Sequence, residues 1–208
     1  MTVQLLKRET EKFDRLEAEL ICFEGAASTA NRRPRGRNSA SACEGCNAHK
    51  RAICADLRDL ELEEFASQSR TRLIKTGEVV YHEGDPAKYL YTIISGEVRL
   101  VNLLNDGRRQ VSGFKTSGDL LGDQKDGCYL YNAEAVCDVI VCKMPLKALE
   151  TYLEKMPVVR KALLAKMQEE VDALRNHMLV LGRKTPIEKI ASFLVNRAQK
   201  LEIPSRGT

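Results

Sequence analysis

The chain has 208 residues, of which 43% are apolar and 30% are charged, a balance typical of a globular domain with short appendages. No apolar run reaches the roughly 18 residues of a membrane span, and residues 1–20 carry charges where a secretory signal is apolar, so we expect a cytoplasmic protein without a membrane partner. The 33 basic and 29 acidic residues give a net charge of +4, which does not by itself indicate nucleic-acid binding.

The N-terminal region, residues 1–42, is predicted to contain a helix followed by a basic linker. Apolar residues are spaced among charges between 3 and 22, as in an amphipathic helix that contains Cys22 as a spare thiol. Residues 25–42 have no large apolar residue, which is the composition of a mobile linker. Its four arginines, within 31–37, could also contact phosphates or an acidic partner.

Cysteine is the most informative residue type, because seven cysteines in a chain without an export signal favour ligands or redox centres over disulfides. Cys43, Cys46 and Cys54 form a Cys-x2-Cys-x7-Cys cluster on a short flexible segment, residues 43–56. Four thiolates hold either a 4Fe-4S cluster or a structural zinc ion, so a fourth ligand must come from elsewhere in the chain. His49 lies inside the cluster and could bind either metal or remain solvated.

The middle of the chain, from Thr71 to Pro145, changes to the pattern of short strands after a predicted helix around residues 57–68. Its β-rich runs are separated by glycine turns, and an Asn-Asp-Gly sequence begins at Asn105. This spacing predicts an antiparallel barrel or roll. We interpret each glycine of this region as a turn residue.

A long helix is predicted from Val158 to about Leu181. Its apolar residues recur at alternating spacings of 3 and 4, which is an a/d seam that requires a partner helix, although the stripe could also pack on its own barrel. Glu169, Glu170 and Asp172 lie beside the seam and could repel a second copy or form a solvated face. The seam consists of Leu164, Met167, Val171, Leu174, Met178 and Leu181.

A last helix is predicted to begin at Thr185, because Thr185-Pro186-Ile187-Glu188 combines an N-cap, a proline at the first helical position and a capping-box glutamate. Residues after it form an apolar face that includes Ile190 and Leu194. This face has little else in the chain to pack against.

Several of these motifs occur together in one known family. The stretch 81–100, the Gly-Asp-Leu-Leu-Gly-Asp of 118–123, the seam helix and residues 182–198 resemble the sensor half of the CRP/FNR transcription regulators. The resemblance covers about residues 43–203.

The resemblance implies an α+β fold: a cyclic-nucleotide-binding-like antiparallel β-roll (jelly roll), a long dimerisation helix and the first helix of a truncated winged-helix domain. The implied divisions follow the motifs in chain order. They are an N-terminal helix and linker (1–42), a cysteine loop (43–56), a sensor roll (57–150), a dimerisation helix (151–182) and a remnant of a DNA-binding domain (183–208).

The cysteines place the resemblance in the FNR branch, which senses oxygen with a 4Fe-4S cluster. That branch takes its fourth ligand from a barrel strand just before a proline, a position that Cys142 occupies before Pro145. Cys137, if it lies in the same strand, would face the opposite side. Cys128, in a predicted loop, remains an outside candidate.

Two rival functions have less support in the sequence. The nucleotide-binding branch holds the cyclic phosphate with an arginine, but no arginine lies between Arg109 and Arg160, which leaves only Lys125 as a weak substitute. Cyclic-nucleotide binding is therefore not expected. Catalysis is not expected either, since His49, His82 and His177 fall in different predicted elements.

The sequence thus predicts an oxygen- or redox-responsive transcription regulator whose 4Fe-4S cluster controls homodimerisation and DNA binding, with RNA polymerase as a further partner. The alternative is a dimerisation protein with a structural zinc ion or no metal. Residues 202–208 are too few for a recognition helix, so we expect these 208 residues not to read an operator alone.

Overall fold

The computed structural model describes residue 43, residues 46–104 and residues 106–200. The predicted N-terminal helix and basic linker, and Cys22, lie outside the described residues. The chain divides into two compact units, Met1–Arg160 and Lys161–Thr208.

Antiparallel strands form the body of the first unit, which confirms the predicted roll. One four-stranded sheet has the order β1-β10-β3-β6, a second has the order β2-β9-β4-β5, and β7 and β8 form a small hairpin. The strands are β1 (Arg70–Ile74), β2 (Val79–Tyr81), β3 (Tyr89–Ser95), β4 (Val98–Leu103), β5 (Arg109–Lys115), β6 (Leu120–Leu121), β7 (Gln124–Lys125), β8 (Cys128–Tyr129), β9 (Asn132–Ala135) and β10 (Val139–Pro145).

The hydrophobic core draws side chains from both four-stranded sheets and from the hairpin. Three tyrosines lie at its centre: the ring of Tyr81 stacks on Tyr129 at a centroid distance of 3.9 Å and on Tyr91 at 5.7 Å. Alternate residues of β10, such as Val139 and Val141, are fully buried in the same core. The roll is therefore filled by its own aromatic and aliphatic side chains.

The helices follow the predicted order. The helix α1 (Asp59–Gln68) precedes the roll, and α2 (Leu146–Lys155) follows β10 directly. The structure divides the segment 151–182 at Met156, because Pro157 starts a new helix, α3 (Pro157–Arg183).

The last described helix, α4 (Pro186–Lys200), begins with the predicted capping box. The Glu188 carboxylate accepts hydrogen bonds from the backbone N–H and the hydroxyl of Thr185, both at 2.8 Å. The Glu188 backbone N–H in turn donates to the Thr185 hydroxyl at 3.4 Å. Within the described part of the chain, no helix is both long and apolar enough to cross a membrane.

The tyrosine core generates a stability prediction. The Tyr129 hydroxyl donates to the Tyr89 carbonyl at 2.9 Å and accepts from the Tyr89 N–H at 3.2 Å. Tyr129→Phe leaves both backbone groups without that partner, so we expect it to lower the free energy of unfolding by about 1–3 kcal/mol.

Tyr81→Phe is the matched control for Tyr129→Phe. The Tyr81 hydroxyl is buried and makes no hydrogen bond in the described structure, so its removal is expected to cost less than about 0.5 kcal/mol. Urea unfolding of both variants measures the difference. Equal losses in the two variants would show that the hydrogen bonds of Tyr129 do not stabilise the roll.

Candidate metal centre

The segment that carries the first three cysteines is anchored rather than flexible. Ala48, Ala52, Ile53 and Leu57 are buried, and a 3-10 turn spans His49–Arg51. Backbone hydrogen bonds, including Leu57 N–H to the Cys54 carbonyl at 3.1 Å, close further turns along it. The sequence predicts a flexible segment, and in its described residues 46–57 the apolar side chains of the segment are packed into the fold.

Cys142 lies in the middle of β10, as the sequence predicts. Its strand neighbours in the sheet are Thr71 of β1 and Thr92 of β3. Since Val141 points into the core and side chains alternate along a strand, Cys142 points to the outer face of this sheet. The central strand of the sheet therefore presents one thiol on the face that is turned away from the core.

The structure brings the four predicted cysteines into one electrostatic group. Burial, followed by the neighbouring Cys142 and Cys46, raises the pKa of Cys43 to about 11. Burial, followed by Cys43, Cys142 and Cys46, raises the pKa of Cys54 to about 12. Ionisation of the strand cysteine therefore disfavours ionisation of the segment cysteines Cys43 and Cys54.

Three of the four thiols also receive hydrogen bonds that favour their thiolate form, and the donor to Cys54 is its own backbone N–H. Burial raises the pKa of Cys46, and the backbone N–H groups of Ala48 and His49 oppose this shift. Burial likewise raises the pKa of Cys142, and the neighbouring Ser69 hydroxyl, which shares its one proton between Cys142 and the Ala66 carbonyl at 3.0 Å, opposes this shift. Such donors are typical of sulfurs that bind metal as thiolates. The sequence contains no signal that would have selected Ser69.

Four thiolates are a donor set that suits either a 4Fe-4S cluster or a single tetrahedral zinc ion. All four cysteines are free of disulfides. In the described part of the chain, no group of three or more His, Cys, Asp or Glu side chains is arranged so that it could hold a metal ion.

The remaining described ligand candidates are placed differently from the sequence expectation. Cys137 lies in the bend between β9 and β10, so the condition under which it would face the opposite side of β10 is not met. Cys128 is paired in the β7–β8 hairpin, not in a loop. The His49 Nδ1 lies 3.8 Å from the Cys54 sulfur, so this histidine is a neighbour of the thiol group.

The predicted seam of α3 is exposed in the single chain. The side chains of Leu164, Met167, Val171, Leu174 and Met178 are between 41% and 71% exposed. The side chain of Leu181 lies outside those that the structure describes. The observed exposure leaves the apolar stripe available to a second helix.

The acidic residues beside the seam are partly compensated within their own helix. Glu169 pairs with Lys166 at 2.9 Å, and Asp172 pairs with Arg175 at 3.0 Å. Intrahelical partners three residues away reduce the repulsion that the sequence suggests between two copies.

The raised thiol pKa values predict how the metal-free protein responds to alkaline pH. Between about pH 9 and pH 12 the unfolded cysteines lose protons while buried Cys43 and Cys54 retain them, so the folded state binds more protons than the unfolded state. Its stability is fully present below pH 9 and falls as the pH rises. Urea unfolding at several pH values measures this decline.

The control for this prediction is the double variant Cys43→Ser/Cys54→Ser. Burial also raises the pKa of Tyr81 and Tyr91, so the variant should retain part of the alkaline decline but show a shallower slope than the natural protein. An unchanged slope would contradict the assignment of raised pKa values to the two thiols.

Comparison with known proteins agrees with this architecture. The family model described as the cyclic nucleotide-binding domain matches residues 71–156. The nitrogen fixation regulation protein FixK of Bradyrhizobium diazoefficiens is 33% identical over 159 residues, which is 76% of this chain and 67% of that protein. The transcriptional activator protein FnrL of Cereibacter sphaeroides is 33% identical over 158 residues, covering 76% of this chain and 64% of that protein.

Among solved structures, FixK2 from Bradyrhizobium japonicum matches with a TM-score of 0.60 and 32% identity over 67% of this chain and 69% of that chain. The chain thus spans about two thirds of the length of these relatives. The two relatives are named as a regulator of nitrogen fixation and as a transcriptional activator. The sequence motifs, the β-roll followed by a long helix, and these matches together show that the chain belongs to the CRP/FNR family of transcription regulators.

Proposed function

We propose that this protein is an oxygen- or redox-responsive transcription regulator that binds a 4Fe-4S cluster through Cys43, Cys46, Cys54 and Cys142. The observation that supports this most strongly is the electrostatic coupling of three clustered thiols to a thiol on a distant strand. Clustered cysteines in a chain without an export signal are more often metal ligands or redox centres than disulfides.

The chain's own residues prepare this site for a metal cluster. Burial keeps the thiols protonated in the absence of metal, so binding must release protons, while the donors to Cys46 and Cys142 favour the thiolate that replaces each thiol. The anchored segment and β10 hold the sulfurs from two sides. When bound, a 4Fe-4S cluster supplies a group that oxygen degrades.

We further propose that the exposed seam of α3 forms a homodimer whose stability depends on the state of the cysteine site. A buried Leu or Met side chain contributes about 1.5–3 kcal/mol, whereas an exposed ion pair such as Lys166–Glu169 contributes about 0.3–1 kcal/mol. Apolar burial therefore dominates the association. DNA binding by the dimer, and contact with RNA polymerase, belong to the same proposal for the complete regulator.

The packing of the roll's interior supports the view that this chain does not bind a cyclic nucleotide. The stacked Tyr81 and Tyr129 rings fill part of that interior. Arg99 and Arg109 pair with the Glu134 carboxylate on the opposite, outer face of their sheet, because the alternate residues Ala133 and Ala135 point into the core.

Substitution of single cysteines tests the ligand assignment. Cys142→Ser is expected to abolish the visible charge-transfer absorption of anaerobically prepared protein, because one of four cluster ligands is lost. Cys137→Ser and Cys128→Ser are matched controls that should retain it. If Cys137→Ser loses the absorption while Cys142→Ser keeps it, the choice of the fourth ligand is wrong.

Substitution in the seam tests the dimer. Leu174→Glu places a charge in the apolar stripe, so we expect it to keep the protein monomeric even with the cluster bound, a shift of at least about tenfold in the dimer dissociation constant. Leu179→Glu is the matched control, because Leu179 has similar exposure (57% against 51%) on the same helix but lies outside the seam. Anaerobic sedimentation measures both, and a dimer that survives Leu174→Glu would contradict the proposed interface.

A further inference from the structure

The turn between β5 and β6, residues 116–119, is fixed to strand β3. The Gly118 N–H donates to the Ile93 carbonyl at 2.9 Å, and the Ser117 hydroxyl donates to the Ile94 carbonyl at 2.8 Å. Within the turn, the Asp119 carboxylate accepts from the Thr116 N–H at 2.8 Å. These bonds give the turn a defined place at the end of the sheet that contains Cys142.

Arg51 of the cysteine segment packs directly on Gly118. A Cβ atom at position 118 would collide with the Cβ of Arg51, and it would lie 3.4 Å from the Arg51 Cδ and 3.5 Å from its carbonyl carbon. Gly118 is buried and has a φ of +88°. The missing side chain is therefore what allows the segment to approach this turn.

This contact connects the two sources of cysteine ligands. Arg51 lies three residues before Cys54. The 116–119 turn, which Arg51 contacts, is hydrogen-bonded to β3. Strand β3 pairs with β10, where Thr92 lies opposite Cys142. Strand β3 therefore binds the turn that supports the cysteine segment, and it also contains Thr92, the neighbour of Cys142.

We propose that Gly118 is a positioning residue, and that the 116–119 turn is the support that holds Cys46 and Cys54 within reach of Cys142. The proposal rests on the proposed function for the identity of the ligands, but the contact itself belongs to the metal-free chain. A metal site tolerates displacement of its ligands by only about 0.5 Å. A methyl group at Gly118 would force Arg51, and the segment with it, away from the turn.

A second turn in the same roll provides a matched control. Residues 75–78 repeat the pattern of 116–119: the Lys75 N–H donates to the Glu78 carboxylate at 2.8 Å, and the Glu78 N–H donates to the Lys75 carbonyl at 2.9 Å. Gly77 has a φ of +80°, but a Cβ there would meet nothing within 4 Å. Gly77→Ala therefore imposes the same backbone strain as Gly118→Ala without the collision.

Hydrogen exchange of the metal-free protein tests the contact. In Gly118→Ala we expect the amides of residues 46–57 to exchange at least about tenfold faster than in Gly77→Ala, because tenfold corresponds to about 1.4 kcal/mol of lost local stability. Peptides from β3 and β10 report whether the roll itself stays folded. Equal exchange of residues 46–57 in the two variants would overturn the proposal.

A compensating substitution separates the collision from general destabilisation. Arg51→Gly removes the colliding Cβ, so the double variant Arg51→Gly/Gly118→Ala should exchange within about threefold of Arg51→Gly alone, even if Gly118→Ala unfolds. If the two substitutions have additive effects on the exchange of residues 46–57, a direct contact between Arg51 and Gly118 is contradicted.

The rate at which the cluster-bound protein loses its visible absorption in air provides a second measurement. With the cluster bound, Gly118→Ala should lose its visible absorption in air several-fold faster than Gly77→Ala, and the double variant should recover the slower rate expected of Arg51→Gly. Equal decay rates in Gly118→Ala and Gly77→Ala would show that the turn does not position the ligands. If the natural protein binds no cluster, the proposed function fails, while the exchange experiment still decides whether the turn supports the segment.

Discussion

Burial of the apolar side chains between the cysteines is the interaction on which the candidate site depends. Ile53 and Leu57 are almost fully enclosed, and burial of each such side chain contributes about 1.5–3 kcal/mol. This exceeds the cost of enclosing neutral thiols, which behave as small apolar groups. Burial therefore holds this segment against the fold and keeps its thiols protonated.

The pairing of β10 with β1 and β3 supplies the other half of the site. Alternation along β10 sends Val141 into the core and Cys142 to the outer face. The same strand leads directly into α2 and then into the long helix α3. Cys142 thus lies in the chain segment that precedes the exposed seam.

The sequence predicts much of this arrangement, because local patterns determine it. Strand alternation, glycine turns and the capping box of Thr185 and Glu188 all depend on residues that are near each other in the chain. The choice of Cys142 came from a family pattern. The parity argument about Cys137 does not apply, because the strand begins only at Val139 and leaves Cys137 in a bend.

The contacts that the sequence does not predict are those between distant segments. Gly118 and Gly77 lie in turns of similar local sequence. Only the structure shows that Arg51 packs against Gly118, whereas no atom would lie within 4 Å of a Cβ at Gly77. The hydrogen bond from Ser69 to Cys142 and the charge pairing of Glu134 with two arginines are equally non-local. Composition and periodicity contain no information about which distant residue fills such a position.

The metal and sulfide content of anaerobically purified protein tests most directly whether the four cysteines bind a 4Fe-4S cluster. Iron, acid-labile sulfide and zinc should be measured per chain on the same preparation, handled without oxygen and without added metal. A 4Fe-4S site predicts about four iron and four sulfide per chain with little zinc. One zinc per chain with no sulfide would contradict the account and would identify the four cysteines as a structural zinc site.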